Sequence, residues 1–156
     1  MPGDTFHLAQ VNIAIPRGQP EEQVMAEFMA LLDPVNALAD VSEGFVWRLQ
    51  SDEGNATAYR VFDDPDLMVN MSVWESLEAL RDYVYRSPHA HVLRRRQEWF
   101  VKMVETHVAL WWIEPGTIPT LHDAEERLLT LRAGGPTPRA FTLKQPSPIR
   151  PPAPGP

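Results

Sequence analysis

The run from Val69 to Arg95, VNMSVWESLEALRDYVYRSPHAHVLRR, sets a strand, a capped helix and a Ser-Pro-His turn end to end with no filler. Up to Trp74 the side chains alternate. Leu67, Val69, Met71 and Val73 share one face, and Met68, Asn70, Ser72 and Trp74 share the other, the period-two pattern of a strand. After Glu75 the spacing turns helical, with Ser76 as N-cap and Leu77, Leu80, Tyr83 and Val84 inward. The helix ends before Ser87-Pro88, because a residue preceding proline is driven out of the helical region.

The flanking segments extend this unit in both directions. Phe6 to Ile15 alternates, with Ala9, Val11, Ile13 and Ile15 on one face and Gln10 and Asn12 on the other, and Gly18 and Pro20 end it. From Glu21, the residues Val24, Phe28, Leu31, Leu32 and Val35 recur at helical spacing, and Asp33-Pro34 reads as either a break or a restart toward Asp40. Gly44 opens a second strand, FVWRLQ, and a polar run separates it from the third at Leu67 to Trp74. A second helix is expected from His89 to Val104, with a fourth strand from Thr106 to Ile113. The order β-α-β-β-α-β predicts an α+β fold of the ferredoxin-like βαββαβ type, an antiparallel sheet with helices on one face. The other face, assigned the amide and aromatic side chains, would then be left open. A homodimer closing two sheets into a dimeric α/β barrel is the expected remedy. Thr120 caps a C-terminal helix with Leu121, Ala124, Leu128 and Leu131 inward, stopped by Gly134-Gly135.

Residues 1–141 are expected to form this one domain. Six of the sixteen prolines fall between Pro146 and Pro156, so residues 142–156 read as a disordered, Pro-rich tail. With 44% apolar residues, the rest suffices to bury a core without covalent staples. Having no cysteine, the chain forms no disulfide, thiolate nucleophile or Cys-type zinc site, which suits a reducing compartment. No basic leader and no long apolar run is visible, so a cytoplasmic protein with no membrane contact is expected. A net charge of -7 repels phosphate backbones, and Glu98 follows the one basic cluster, Arg94 to Arg96, which speaks against nucleic acid.

At Trp74 the run W-E-S-x-E-A-L, followed by Tyr83 and Ser87-Pro88-His89, resembles the strand-to-helix signature of antibiotic-biosynthesis monooxygenases and their dimeric α/β-barrel relatives. Over residues 6–141 the phrases HLAQVNIA, VNALAD, GFVWRLQ, VNMSVWES, YVYRSPH, RRRQEWF, LWW and GPTPRAF resemble the family called domain of unknown function 3291, for which no general activity is assigned. The resemblance implies the fold, the dimer and a small-molecule pocket between sheet and helices. Heme-degrading members of the superfamily use an Asn on the first strand, a Trp in the helix after the third strand and a His beyond it. Asn12 matches the first, Tyr83 stands at the Trp position and the His position falls near Arg94, so two of the three residues depart. The cofactor-free oxygenases of the superfamily deprotonate an electron-rich aromatic substrate that then reacts with oxygen, in pockets lined by Asn, Trp and His.

Read from the residues themselves, His89 is the candidate catalyst. It lies three and four residues before Val92 and Leu93, on the inward helix face, where a neutral imidazole could act as general base. The alternative is a histidine that closes the Ser87-Pro88 turn by bonding to backbone. His91 lies about 200° around the helix from His89, so the pair cannot chelate one metal. His7, His107 and His122 fall on separate elements, and no metal site is expected. Arg96, on the same stripe as His89, is a candidate partner for a substrate carboxylate or phenolate, or else a structural ion pair. Gln10, Asn12, Asn70 and Ser72 form a polar set that either orients a ligand or bonds to a dimer mate. Trp47, Trp74 and Trp111, with Tyr83, are candidate walls for a planar apolar ligand, although Trp111 and Trp112 point to opposite sides of their strand and only one of them can face the cavity.

The chain lacks GxGxxG, GxxxxGK[ST], GxSxG and HExxH, which removes nucleotide, P-loop, serine-hydrolase and zincin chemistry. Two expectations follow. The first is a cofactor-independent monooxygenase, or a related isomerase or cyclase, acting on an aromatic or polyketide-like metabolite. The second is a non-catalytic dimeric binding protein. A heme-binding variant, with His89 or His107 as axial ligand, is third.

Overall fold

The computed structural model describes residues 6–19, 21–49, 67–103 and 105–147. Strand β1 (His7–Pro16) is followed by a 3-10 turn at Gln23–Met25 and helix α1 (Ala26–Asp40), then by strands β2 (Phe45–Arg48) and β3 (Met68–Trp74). Helices α2 (Leu77–Arg86), α3 (His89–Arg94) and α4 (Arg96–Trp99) come next, then strands β4 (Phe100–Val101) and β5 (Val108–Ile113) and helix α5 (Leu121–Gly134). The part of the predicted second strand at Gln50 lies outside the described residues.

Among the described residues, five strands form one antiparallel sheet with β1 at its centre. β3 and β5 flank β1, β2 lies outside β3, and the two-residue β4 extends the end of β1 at Ile15 and Pro16. Strict alternation along β1 sorts its side chains to two faces, each of which is covered. Ala9, Val11 and Ile13, with Met71, Val73 and Trp111 of the neighbouring strands, pack under Ala124, Leu128 and Leu131 of α5. Leu8, Trp74 and Leu110 pack on the opposite side against Ala39 of α1 and Leu80 of α2. The expectation of a sheet face left open by the protein's own helices is therefore corrected. The C-terminal helix, started by a capping box between Thr120 and Asp123, lies over that face within one chain.

The amide-bearing face is the one covered by α1 to α3, not the helix-free face to which the pattern had been assigned. Alternation tells which residues share a face. It does not tell which face a helix will cover, because that depends on crossovers between distant segments.

Local signals account well for helix boundaries. Ser76 Oγ accepts the Ala79 amide N–H at 3.0 Å and starts α2, and Ser87, in extended conformation, ends it. α1 runs through Pro34 without breaking; the ring only removes the amide that would have bonded to Ala30. The single helix expected from His89 to Val104 is instead interrupted at Arg95. There the guanidinium bonds Glu27 at 2.6 and 2.9 Å and Glu98 at 2.8 Å, and it lies 4.8 Å from the Trp99 ring centre. The interruption turns Trp99 inward against Phe28, with Met25 in the same cluster. Arg95 thus holds α4 to the start of α1.

The first six residues of the expected tail are held in place. Arg81 donates to the Leu143 carbonyl at 3.0 Å, Trp112 Nε1 donates to the Ser147 carbonyl at 3.0 Å, and Leu143 packs on the cluster around Phe141. The remainder of that tail lies outside the described residues.

Candidate functional site

The most polar patch of the sheet is built around Ser72. Trp74 Nε1, which can only donate, gives its proton to Ser72 Oγ at 2.9 Å, and Gln10 Nε2 donates to the same oxygen at 2.8 Å. Gln10 also donates to Asn70 Oδ1 at 2.8 Å, and Asn12 Nδ2 donates to Gln10 Oε1 and Asn70 Oδ1, each at 3.3 Å. Register makes this possible: Gln10 stands opposite Ser72 and Asn12 opposite Asn70 across the β1–β3 ladder. Because Ser72 Oγ and Asn70 Oδ1 each accept twice, the Ser72 hydroxyl proton and the Asn70 amide protons have no acceptor among the described residues. Gln10 and Ser72 are buried and Asn70 is exposed, so the network runs from the interior to a mouth.

Above this network lies a cavity of about 120 Å³ between the sheet and the helices. Asn12, Asn70, Ser72 and Trp74 form its floor, and Phe28, Leu31, Leu32 and Val35 of α1 form its apolar roof. Tyr83, His89 and Val92 close one side, and Arg48, Asn36 and Ala39 complete the lining.

Tyr83 and His89 are placed by the Ser87-Pro88 turn. Ser87 Oγ donates to the Tyr83 carbonyl in a short bond and accepts the His89 amide N–H at 3.1 Å. The Tyr83 ring lies 5.1 Å from that of Trp74 and 4.9 Å from that of His89, and its hydroxyl donates to the Val35 carbonyl at 3.0 Å. Burial pushes the Tyr83 phenol up to about 12. Bonded and buried in this way, it is a neutral wall rather than an acid at neutral pH.

His89 Nδ1 lies 3.3 Å from the Val84 carbonyl oxygen. A carbonyl only accepts, so Nδ1 carries the proton and the Nε2 lone pair remains. Burial holds the imidazole below the usual histidine range, and the Val84 bond only partly offsets this. The histidine therefore does both things open to it from sequence: it bonds backbone at the turn and it lines the cavity as a neutral base.

Of the ten residues singled out from sequence, Asn12, Asn70, Ser72, Trp74, Tyr83 and His89 line the cavity. Gln10 stands behind the wall and braces Asn70 and Ser72. Trp111 pairs with Ala9 and lies under α5, 5.9 Å from the Arg127 guanidinium, so it belongs to the opposite face. Trp112, its alternative, packs on Phe141 at the far end of the cavity face and is not part of the lining. Trp47 is also on the α5 side. A bulge between Phe45 and Trp47 inserts Val46 as an extra residue, so Phe45 and Trp47 leave by opposite faces although they are two apart. Arg96 is exposed on α4, beyond the break at Arg95 that ended the expected helical stripe.

The same bulge brings Arg48 opposite Ser72 and into the cavity, a residue that sequence reasoning passed over. Its signal was a single charge inside an otherwise apolar strand. Asp40 holds its Nε at 2.7 Å and its Nη2 at 3.2 Å. No group of three or more His, Asp or Glu side chains able to hold a metal ion occurs among the described residues, and no helix among them is long and apolar enough to cross a membrane.

An antiparallel sheet with helices on both faces and a small, partly polar cavity on one of them defines an α+β domain with a candidate ligand site. The chain belongs to the family described as domain of unknown function (DUF3291), whose sequence pattern matches residues 7–153. No curated protein matches the chain. Among solved structures, a protein of unknown function from Nitrosomonas europaea is similar, with 11% sequence identity, a TM-score of 0.48, and coverage of 76% of this chain and 99% of that one.

Proposed function

We propose that this domain binds a small molecule in the cavity between the sheet and α1 to α3 and acts on it by proton transfer, with His89 as the base. The observation that carries this is the pairing of a neutral His89, its Nδ1 committed to Val84, with the Ser72 and Asn70 donors that no described residue accepts, in the same cavity. A base beside donors aimed at a developing oxyanion suits the removal of a proton next to a carbonyl or from a phenol.

In the monooxygenase form of this chemistry the deprotonated substrate passes electrons to molecular oxygen. One oxygen atom replaces two hydrogens on carbon, and the other leaves as water. An isomerase or cyclase would use the same proton removal without oxygen. The sheet order, with β5 and β3 on either side of β1 and β2 outermost, supports a ferredoxin-like reading and with it the superfamily likeness. A homodimer enters on that likeness alone. Since α5 occupies the face on which two sheets would close, a dimer would use another surface, and sedimentation of the full chain tests it.

Heme fits poorly. Ordinary ligand clefts measure roughly 300–1,000 Å³, and a cavity of about 120 Å³ has no room for a porphyrin. His107, the other candidate axial ligand, is not part of the cavity lining.

The test is a screen of one-ring phenols and enolisable ketones for hydrogen exchange in D2O and for oxygen uptake, on wild type and His89→Ala. General-base catalysis predicts a loss of about 100-fold or more in the variant, with the thermal melt retained. Exchange absent from wild type would leave a non-catalytic binding domain, and exchange unaffected by His89→Ala would remove His89 from the mechanism.

A further inference from the structure

We propose that the cavity selects a one-ring planar carboxylate and that Arg48 is the residue that reads the carboxylate; this rests on the cavity being a ligand site. Among the described residues that line the cavity, Arg48 is the one charged group besides the neutral His89, and none is a carboxylate. In a chain of net charge -7, a cavity lined by a cation and by outward-pointing donors is set apart from the rest of the surface.

The guanidinium is pre-organised. Asp40 takes the Nε and Nη2 edge, and its own side chain is 41% exposed against 19% for Arg48, so the carboxylate stands on the solvent side of the pair. The guanidinium N–H groups that Asp40 does not take are left for a ligand, with Ser72 and Asn70 as further donors. A planar fork with one edge fixed suits a planar anion. Opposite it, Phe28, Leu31, Val35 and Val92 present an apolar wall with no polar group to satisfy.

Size sets the rest of the ligand. A cavity of about 150 Å³ accommodates benzene, so about 120 Å³ takes up at most one ring, with any substituent at the open side, and excludes fused polycycles. Both expected substrate classes, aromatic and polyketide-like, are narrowed to their smallest acidic members.

Calorimetric titration of the full chain with benzoate, benzamide and toluene tests this. Benzoate is expected to bind wild type at least about tenfold more tightly than benzamide, as charge-assisted hydrogen bonds exceed neutral ones by such a factor. Arg48→Gln is expected to abolish the preference while toluene binds as before. Asp40→Asn keeps the cation and removes its competitor, and is expected to widen the preference. Benzamide binding as well as benzoate to wild type, or a preference unchanged in either variant, would overturn the role of Arg48 and leave the cavity standing. Failure of all three compounds to bind would overturn the ligand site and this proposal together.

Discussion

The hydroxyl of Tyr83 donates to the carbonyl of Val35, 48 residues away in sequence, at 3.0 Å. That bond joins α2 to α1 across the cavity and holds the ring between Trp74 and His89. Tyr83→Phe keeps the ring and removes this bond, which should destabilise the fold by about 1 kcal/mol. The urea midpoint should fall with an unchanged slope. Because burial raises the Tyr83 phenol to about 12, its contribution is fully present below pH ~10, the unfolded value, and is lost as pH rises toward 12. Wild type should therefore lose stability over that window, and Tyr83→Phe should lose less.

His89 behaves with the opposite sign. Burial lowers its folded pKa, so well above the unfolded value of ~6.5 both states are neutral and stability is complete. As pH falls below 6.5 the unfolded chain takes up the proton first, and stability declines until the folded imidazole titrates. Unfolding measured from pH 8 to 5 should show this slope in wild type, and the slope should be reduced in His89→Ala. An imidazole nitrogen spectrum at pH 7 should show Nδ1 protonated and Nε2 bare.

Ser72 accepts from both Trp74 and Gln10 while buried. Ser72→Ala removes that acceptor and leaves the Trp74 N–H without a partner in the interior. The expected loss is about 1–3 kcal/mol, with a shifted Trp74 indole resonance. Ser72→Thr, which keeps the oxygen, should lose less.

Gly44 turns the chain into β2 with φ at +83°, and its carbonyl accepts the Glu75 amide at 2.7 Å. A Cβ there would stand 2.5 Å from the Ala79 Cβ on α2. Gly44→Ala combines a left-handed penalty with a clash against helix, and should destabilise by about 2–4 kcal/mol, visible as a lower melting temperature.

What could be read from the sequence and what could not divide along physical lines. Ser76, Ser87-Pro88, Thr120 and Gly134-Gly135 announce helix ends through bonds to nearby backbone, and the helices begin or end beside them. The alternation of β1 and β3 put Gln10, Asn12, Asn70 and Ser72 on one face together, as observed. Beyond that, placement depended on long-range packing. Whether α5 or α1 covers the amide face is decided by contacts between segments far apart in sequence. The bulge at Val46, which exchanges Trp47 for Arg48 at the cavity, has no mark in a strand of four residues. The helix break at Arg95 depends on Glu27, 68 residues earlier.

The tryptophan indole N–H resonances test the central claim most directly, since Trp74 lies in the cavity wall and Trp47, Trp111 and Trp112 do not. Titration of the labelled chain with a set of one-ring acids and phenols should move the Trp74 signal in a saturable way and leave those of Trp47, Trp111 and Trp112 in place. Saturable shifts confined to Trp47, Trp111 or Trp112, or no saturable shift at Trp74 from any member of the set, would contradict a ligand site between the sheet and α1 to α3.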